Sequence, residues 1–211
     1  MDPRQIAPLK LSMSQIRCIA EEFRHEYIFS DDIPVNIEQI IEDTKGISVI
    51  PLEGLHDDCD MDGIISKDLK YIYIDEDYYN RDKYYKRVRF TIAHEVGHLV
   101  LHRQIIDGLS WDSEEDWKRF RQNLQKDALG WFETQASEFA GRILVPVDKL
   151  TELFLQARTE VTKMYTNWNS PKIDDDTLFN LASPLIAPKF GVSEDVIERR
   201  LRKENVLAHI G

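Results

Sequence analysis

The stretch that decides the fold is Arg87-Val-Arg-Phe-Thr-Ile-Ala-His-Glu-Val-Gly-His-Leu-Val-Leu-His102. It contains no proline, its one glycine is Gly97, and apolar residues fall on nearly every side of the helix that it predicts. A helix that is apolar all round lies in the interior of a protein. Two histidines and a glutamate are costly there unless they are paired or bind a metal ion. The stretch therefore predicts a buried central helix that carries a polar site.

Within this helix, residues 94–98 read His-Glu-Val-Gly-His, the H-E-x-x-H pattern of zinc hydrolases. Histidines four residues apart lie on one helix face, about 6 Å apart along the axis, so both imidazoles can reach one Zn²⁺. Glu95 can then reach a water molecule beside the metal and act as general base. The alternative interpretation is a set of core histidines hydrogen-bonded to carbonyl groups.

A catalytic zinc site needs a third protein ligand and keeps one position open for water. His102 continues the row of His94 and His98, but about 12 Å of helix separate it from His94, too far for both to bind one ion. We therefore expect His102 at the helix end or in contact with a ligand. The metzincin class is excluded, because Leu101 and Gln104 stand where that class has glycine and histidine.

A better third ligand lies in a second predicted helix, over 131–146, whose apolar residues follow helical spacing. Glu133 shares their side, one turn before Ala136 and Ser137. Small residues let another helix approach closely, so a carboxylate here suits a ligand that reaches the first helix. Glu138 projects differently, and we expect it to be solvated. An ordinary exposed Glu133 near a helix start is the alternative.

In combination, these motifs resemble those of the ImmA/IrrE family of zinc metallopeptidases. The resemblance rests on residues 89–102, on Glu133-x-x-Ala-x-x-Phe-Ala140 and on Ile143-Leu-Val-Pro146, and weaker similarity extends it over roughly residues 12 to 205. It implies a gluzincin-like site in which His94, His98 and Glu133 bind Zn²⁺ and Glu95 is the base.

The chain departs from the family pattern at two positions near the third ligand. Gln135 and Ser137 stand where the family often has a glutamate and an asparagine. Position 137 is where such sites keep a polar residue that orients a ligand, and a serine can still form that hydrogen bond. We therefore expect Ser137 and His102 to contact the metal ligands without binding the metal themselves.

The pattern as a whole predicts an α+β fold. Its mostly helical body packs beside a small mixed or antiparallel sheet of three strands, at 47–51, 63–66 and 70–75, next to the H-E-x-x-H helix. Ser12 or Ser14 begins the first helix, and Asn36 and Gly46 bound the second. Two helical stretches from Thr177 onward, separated by residues 188–193, form a helical C-terminal appendage.

We predict a metallopeptidase-like domain over residues 1–170 and a small helical subdomain over 171–211. The segment 103–130 is an insertion beside the metal site, which forms either a lid or partner-binding flap or a packed helix hairpin. The acidic run over 57–62 is typical of a solvated turn. Within it, Cys59 is either a free thiol or an inhibitory cap on the zinc.

The strand over 70–75 alternates tyrosine with isoleucine, as a half-buried strand does. In a gluzincin-like site, the strand beside the zinc helix binds extended substrate by edge pairing. Tyr71 or Tyr73 would then face the cleft and could stabilise the oxyanion. Plain packing with a solvated hydroxyl is the alternative for each tyrosine.

Composition limits the partners and the compartment. The formal net charge of −11 argues against binding to nucleic acid, because contacts with phosphates need an excess of basic residues. The start of the chain lacks an apolar signal core, and no apolar run is long enough to span a membrane. With two cysteines far apart, the chain fits a reducing compartment, and we predict that it is cytoplasmic.

These observations predict a zinc-dependent endopeptidase. By resemblance, it makes a limited cut in a regulatory protein such as a repressor or an antitoxin-like regulator. Two alternatives belong to other classes. One is a regulatory interaction module with a vestigial or structural metal site, and the other is a toxin-like partner of a DNA-binding protein. Glu95 separates them, since a module that only binds has no use for a carboxylate at that position.

Overall fold

A computed structural model describes residues 10–29, 32–107, 126–167 and 173–209. It confirms the α+β class, with helices in the majority and one small sheet. The chain divides into two compact units, one of residues 1–31 and 36–143 and the other of residues 32–35 and 144–211. The functional division between residues 170 and 171 stays a prediction. Among the described helices, none is long and apolar enough to cross a membrane.

The first unit begins with two helices whose ends match the capping residues of the sequence. Helix α1 (Met13–Tyr27) begins after Ser12, whose side chain accepts a hydrogen bond from the Gln15 backbone N–H in a capping box. Helix α2 (Ile37–Lys45) begins after Asn36 and ends at Gly46, which has a left-handed φ of 64°. Of the two serines considered, Ser12 is the cap.

The sheet has three strands, β1 (Ser48–Leu52), β2 (Gly63–Ile65) and β3 (Tyr71–Asp75), in the order β1-β3-β2. Strand β1 is parallel to β3, and β2 is antiparallel to it, so the predicted mixed sheet is confirmed. Strand β3 is paired on both sides. Edge pairing of substrate with residues 70–75 is therefore wrong, because β1 and β2 are the outer strands of the sheet that the described residues form.

Two short helices and two long helices complete the first unit. Helix α3 (Leu55–Cys59) precedes β2, and α4 (Glu76–Tyr79) follows β3. Helix α5 (Tyr85–Asp107) is the predicted central helix and contacts α2, α4, β2 and β3. Helix α6 (Lys126–Leu144) begins before the predicted second helix and ends two residues earlier than predicted. The part of the predicted lid that falls at 108–125 lies outside the described residues.

A glycine lets α5 and α6 approach closely. A Cβ atom added at Gly97 would lie 2.9 Å from the Ala136 carbonyl oxygen and 3.0 Å from its Cα. Both are backbone atoms, so neither can rotate away. The ring of Phe139, also on α6, packs edge-on against Phe23 of α1 with centroids 5.5 Å apart. The position of α6 is thus fixed by its contact with α5 on one side and with α1 on another.

We expect Gly97→Ala to lower the free energy of unfolding by about 1–3 kcal/mol, because the added methyl group forces the helices apart by more than helix propensity can offset. Chemical denaturation measures the change, and metal analysis should show weaker zinc binding. Gly130→Ala is the matched control, because a Cβ there meets nothing within 4 Å. That change should stabilise α6 by up to about 1 kcal/mol. A Gly97→Ala protein as stable as the wild type would contradict the close approach.

The second unit contains helices α7 (Val147–Asn167), α8 (Asp175–Phe190) and α9 (Glu194–Lys203). The Phe154 and Phe179 rings lie 5.6 Å apart in its core. The two predicted helical stretches near the C-terminus are confirmed, although α8 continues through Pro188 and ends only at Gly191, whose φ is 63°. The buried Arg200 pairs with Glu204 at 2.5 Å and donates to the Val145 carbonyl at 3.2 Å.

Candidate active site

Helix α5 presents its three polar motif residues from a buried position. His98 and Glu95 are almost inaccessible to solvent, and His94 is half-buried. Ligand-capable atoms of the three residues all lie within 4.8 Å of one another. The spacing of the motif on one helix accounts for this cluster without help from the rest of the fold.

Helix α6 adds Glu133 to the cluster. Its Oε2 lies 3.1 Å from His94 Nε2 and 3.9 Å from His98 Nε2, and the two Nε2 atoms are 3.0 Å apart. A tetrahedral zinc ion with ligands at its usual distances would separate each pair of ligand atoms by about 3.4 Å. The three measured distances bracket that value. The donor set of two imidazoles and one carboxylate therefore fits a zinc ion.

The other ring nitrogens of the two histidines also have partners. Ser137 Oγ lies 3.2 Å from His94 Nδ1, and His98 Nδ1 lies 3.0 Å from His102 Nδ1. The buried side chain of Gln135 continues the second contact, with Oε1 3.1 Å from His102 Nε2. Partners of this kind fix the orientation of a metal-binding imidazole and its tautomer.

The contact with Gln135 sets the tautomers of the row. Its Oε1 accepts a hydrogen bond, so His102 Nε2 carries the proton and His102 Nδ1 accepts from His98 Nδ1. The His98 Nε2 lone pair is then left for a metal ion. Burial lowers the pKa of His102 to about 4, so this imidazole is neutral at pH 7, as the row requires.

Glu95 is held at the edge of the sheet. Its Oε2 accepts a hydrogen bond of 3.2 Å from the Ile65 backbone N–H of β2. This contact needs β2 close to α5, and Gly63 allows it, because a Cβ there would lie 2.5 Å from Thr91 Cγ2. The carboxylate is thus fixed between the cluster of His94, His98 and Glu133 and a strand.

A cavity of about 370 Å³ opens on these residues. It holds His94, Glu95 and Glu133 together with a second polar group formed by His56, Asp62 and Arg87. Its other lining residues are Asp60, Met61, Gly63, Phe90 and Thr91. The size and the mixed lining suit one or two residues of a peptide.

The remaining candidates from the sequence are two tyrosines, one glutamate and one cysteine. Tyr71 and Tyr73 are not among the lining residues of this cavity, and their rings lie 6.1 Å from each other on one face of β3. The expectation of a solvated Glu138 is wrong, because this carboxylate is buried and pairs with Arg142 at 2.8 Å. The thiol of Cys59 lies outside what the structure describes.

Sequence reasoning missed three contributions to the site. It treated Gln135 only as a departure from a family pattern, and it counted Phe132 only as an apolar residue, although its ring stacks on His98 and His102 at 4.3 and 4.1 Å. It also assigned the acidic run to a solvated turn, whereas Asp62 is one of the cavity residues. Helical periodicity carries no signal for such contacts, because they depend on how other elements approach α5.

Comparison with known protein families assigns the chain to one of them. The model of the peptidase M78 family, described as the IrrE N-terminal-like domain, matches residues 78–202. The chain belongs to this family. The match contains both long helices, and with them the whole His94, His98 and Glu133 cluster. The M78 family is one of metallopeptidase-like domains, and the resemblance noted in the sequence is confirmed.

Among solved structures, the chain is similar in fold to a Mycobacterium tuberculosis transcriptional regulator, with a TM-score of 0.54 at 18% sequence identity. The alignment covers 88% of this M78 chain and 46% of the regulator, so the chain spans about half of that protein's length. No curated protein matches the sequence.

Proposed function

We propose that this protein is a zinc-dependent endopeptidase that makes a limited cut in a regulatory protein. The observation that carries the proposal is the triangle of His94 Nε2, His98 Nε2 and Glu133 Oε2, with sides of 3.0, 3.1 and 3.9 Å. These three residues would hold the metal. When bound, zinc supplies a Lewis acid that polarises a carbonyl group and lowers the pKa of water.

Glu95 acts as the general base and then as the acid. Its carboxylate takes a proton from the attacking water and later delivers it to the nitrogen of the leaving amine. The hydrogen bond from the Ile65 N–H holds one of its oxygens, so the side chain is oriented before substrate arrives. Low exposure to solvent strengthens each of these electrostatic interactions.

Strand β2 is the edge that suits substrate. The Asp75 N–H donates to the Asp62 carbonyl, and the Ser66 N–H donates to the Tyr71 carbonyl. In an antiparallel pair, every second residue bonds to the partner strand, and the residues in between turn their backbone groups away from it. Counted from Asp62 and Ser66, Gly63 and Ile65 are the residues in between, so they face the outer edge of the described sheet, where Glu95 also lies, and an extended peptide could pair there.

The substrate class that we propose is a repressor or an antitoxin-like regulator in the cytoplasm. Membership of the M78 family and the fold shared with a transcriptional regulator support a regulatory role. The net charge of −11 favours a protein partner over nucleic acid. At the basic end of α9, Arg202 donates to Asp176 and to Glu198, and these carboxylates weaken its attraction for a phosphate group.

Mapping of protein termini in the source cell tests the proposal. Cells that produce the wild type should gain a new internal terminus in a DNA-binding regulator, and cells that produce Glu95→Gln at equal level should not. The same regulator should copurify with both proteins. Capture of a regulator by both proteins without any new terminus would favour the interaction module instead.

A further inference from the structure

The cavity contains a second cluster of polar side chains, separate from the proposed metal ligands and base. His56, Asp62 and Arg87 line it together with Glu95 and His94. The cluster comes from three places in the chain, namely α3, the residue before β2 and the first turn of α5. An endopeptidase needs a donor for the carbonyl oxygen that becomes negative during attack. The three side chains of this cluster are the candidates for that donor.

Asp62 is fixed by Arg87. Two hydrogen bonds form a fork, from Arg87 Nε to Asp62 Oδ2 at 2.7 Å and from Arg87 Nη2 to Asp62 Oδ1 at 2.6 Å. The guanidinium also lies 4.3 Å from the centre of the Tyr78 ring. Two of its nitrogens are committed to Asp62, and a bidentate pair of this kind holds both partners in one geometry. Arg87 is therefore an anchor for Asp62 rather than a free donor.

His56 is held from two sides. Its backbone N–H donates to Asp75 Oδ2 at 2.9 Å, and its Nδ1 lies 3.2 Å from Asp62 Oδ1. The Nδ1 atom is sealed from solvent, and within the described residues its contact with Asp62 is off the line of a hydrogen bond. The ring also packs against Tyr78, with centroids 5.1 Å apart. With Nδ1 facing a carboxylate, Nε2 is the nitrogen left for a ligand in the cavity.

Other donors on the described cavity wall are less suited to this task. His94 and Glu133 belong to the metal site, and Glu95 is the base. The Thr91 side chain is buried, and its methyl group faces Gly63. Neither Tyr71 nor Tyr73 reaches the wall. His56 thus combines an oriented ring with a position on the same cavity as the base.

We propose that His56, oriented by Asp62, donates a hydrogen bond from Nε2 to the oxygen of the scissile carbonyl as that oxygen gains negative charge. This inference rests on the proposed function and adds a catalytic residue to it. The role is that of an oxyanion donor, so no covalent bond to His56 forms or breaks. Because Nδ1 faces the Asp62 carboxylate at 3.2 Å, the form of the ring that donates from Nε2 carries a proton on each nitrogen.

Two small zinc-binding probes test the role without a known substrate. Acetohydroxamate offers an anionic oxygen beside the metal, whereas 2-mercaptoethanol binds zinc through a thiolate and offers none. Phenylalanine keeps a ring at position 56 but has no donor, so loss of a hydrogen bond to a charged group should weaken acetohydroxamate binding to zinc-loaded His56→Phe about tenfold or more, as measured by calorimetry. The affinity for 2-mercaptoethanol should stay the same. His25→Phe, the same change at an exposed histidine on α1, is the matched control and should alter neither affinity.

The outcomes separate this inference from the function on which it rests. Equal acetohydroxamate affinity in wild type and His56→Phe, with equal zinc content and circular dichroism, would overturn the role of His56 alone. A wild-type protein that binds neither probe would overturn the metal centre, and with it this role. On a regulator found by terminus mapping, His56→Phe should lower kcat about 10²- to 10³-fold with little change in KM. An unchanged kcat there would also contradict the role.

Discussion

Glu95→Gln is expected to abolish cleavage of the regulator while the protein keeps its fold, its zinc and its partner. Glutamine has nearly the same shape as glutamate but cannot accept a proton from water. The loss corresponds to a general-base contribution of about 10²- to 10⁴-fold in kcat. Its amide can still contact the Ile65 backbone region at the edge of β2, so the local packing should hold. Product formation with purified proteins and a quenched time course measures the effect.

Glu53→Gln is the matched control for this change. Glu53 is exposed in the same unit, and the substitution removes the same charge without touching the cavity. It should cleave at the wild-type rate. Full cleavage by Glu95→Gln would contradict its role as base, and loss of zinc in that variant would mean that Glu95 is itself a ligand.

Removal of a metal ligand should have the largest effect on stability. His94→Ala, His98→Ala and Glu133→Ala are each expected to lose most of the one zinc per chain, because each removes an atom of the ligand triangle. Binding free energy is partly folding free energy. At free zinc about 1,000 times the dissociation constant, its loss costs about 4 kcal/mol and lowers the Tm by about 10 °C. Metal analysis and thermal denaturation with and without chelator measure both quantities.

The graded response of the neighbours is the control for this assignment. His102→Ala removes a partner of His98 rather than a ligand, so it should weaken zinc affinity about 10- to 100-fold, less than Glu133→Ala does. Chelator should lower the Tm of the wild type and leave that of His94→Ala unchanged. If His102→Ala strips the metal and Glu133→Ala does not, the third ligand is wrongly assigned.

Local sequence determined much of this protein by itself. The run from Arg87 to His102 fixes a buried helix, and its four-residue spacing places His94 and His98 on one face wherever the helix lies. Asn36 and Gly46 bound α2 because an amide side chain and a left-handed glycine satisfy the free backbone groups at helix ends. The alternation in β3 predicts a strand for the same local reason. Each of these properties depends on residues only a few positions apart.

The tertiary structure alone decided which strand of the sheet is central and which residues outside α5 complete the site. Strand β3 is central because β1 and β2 both pair with it, and strand order is a choice among long-range pairings that alternation does not encode. Glu133 reaches His94 only because Gly97 lets α6 approach α5, and Gln135 meets His102 for the same reason. His56 and Asp62 reach the cavity because α3 and the acidic residues after it pack against the rest of the unit. The acidic sequence by itself is no different from that of an ordinary solvated turn. Such contacts join residues some 25 to 40 positions apart, where only the packing of whole elements sets the distance.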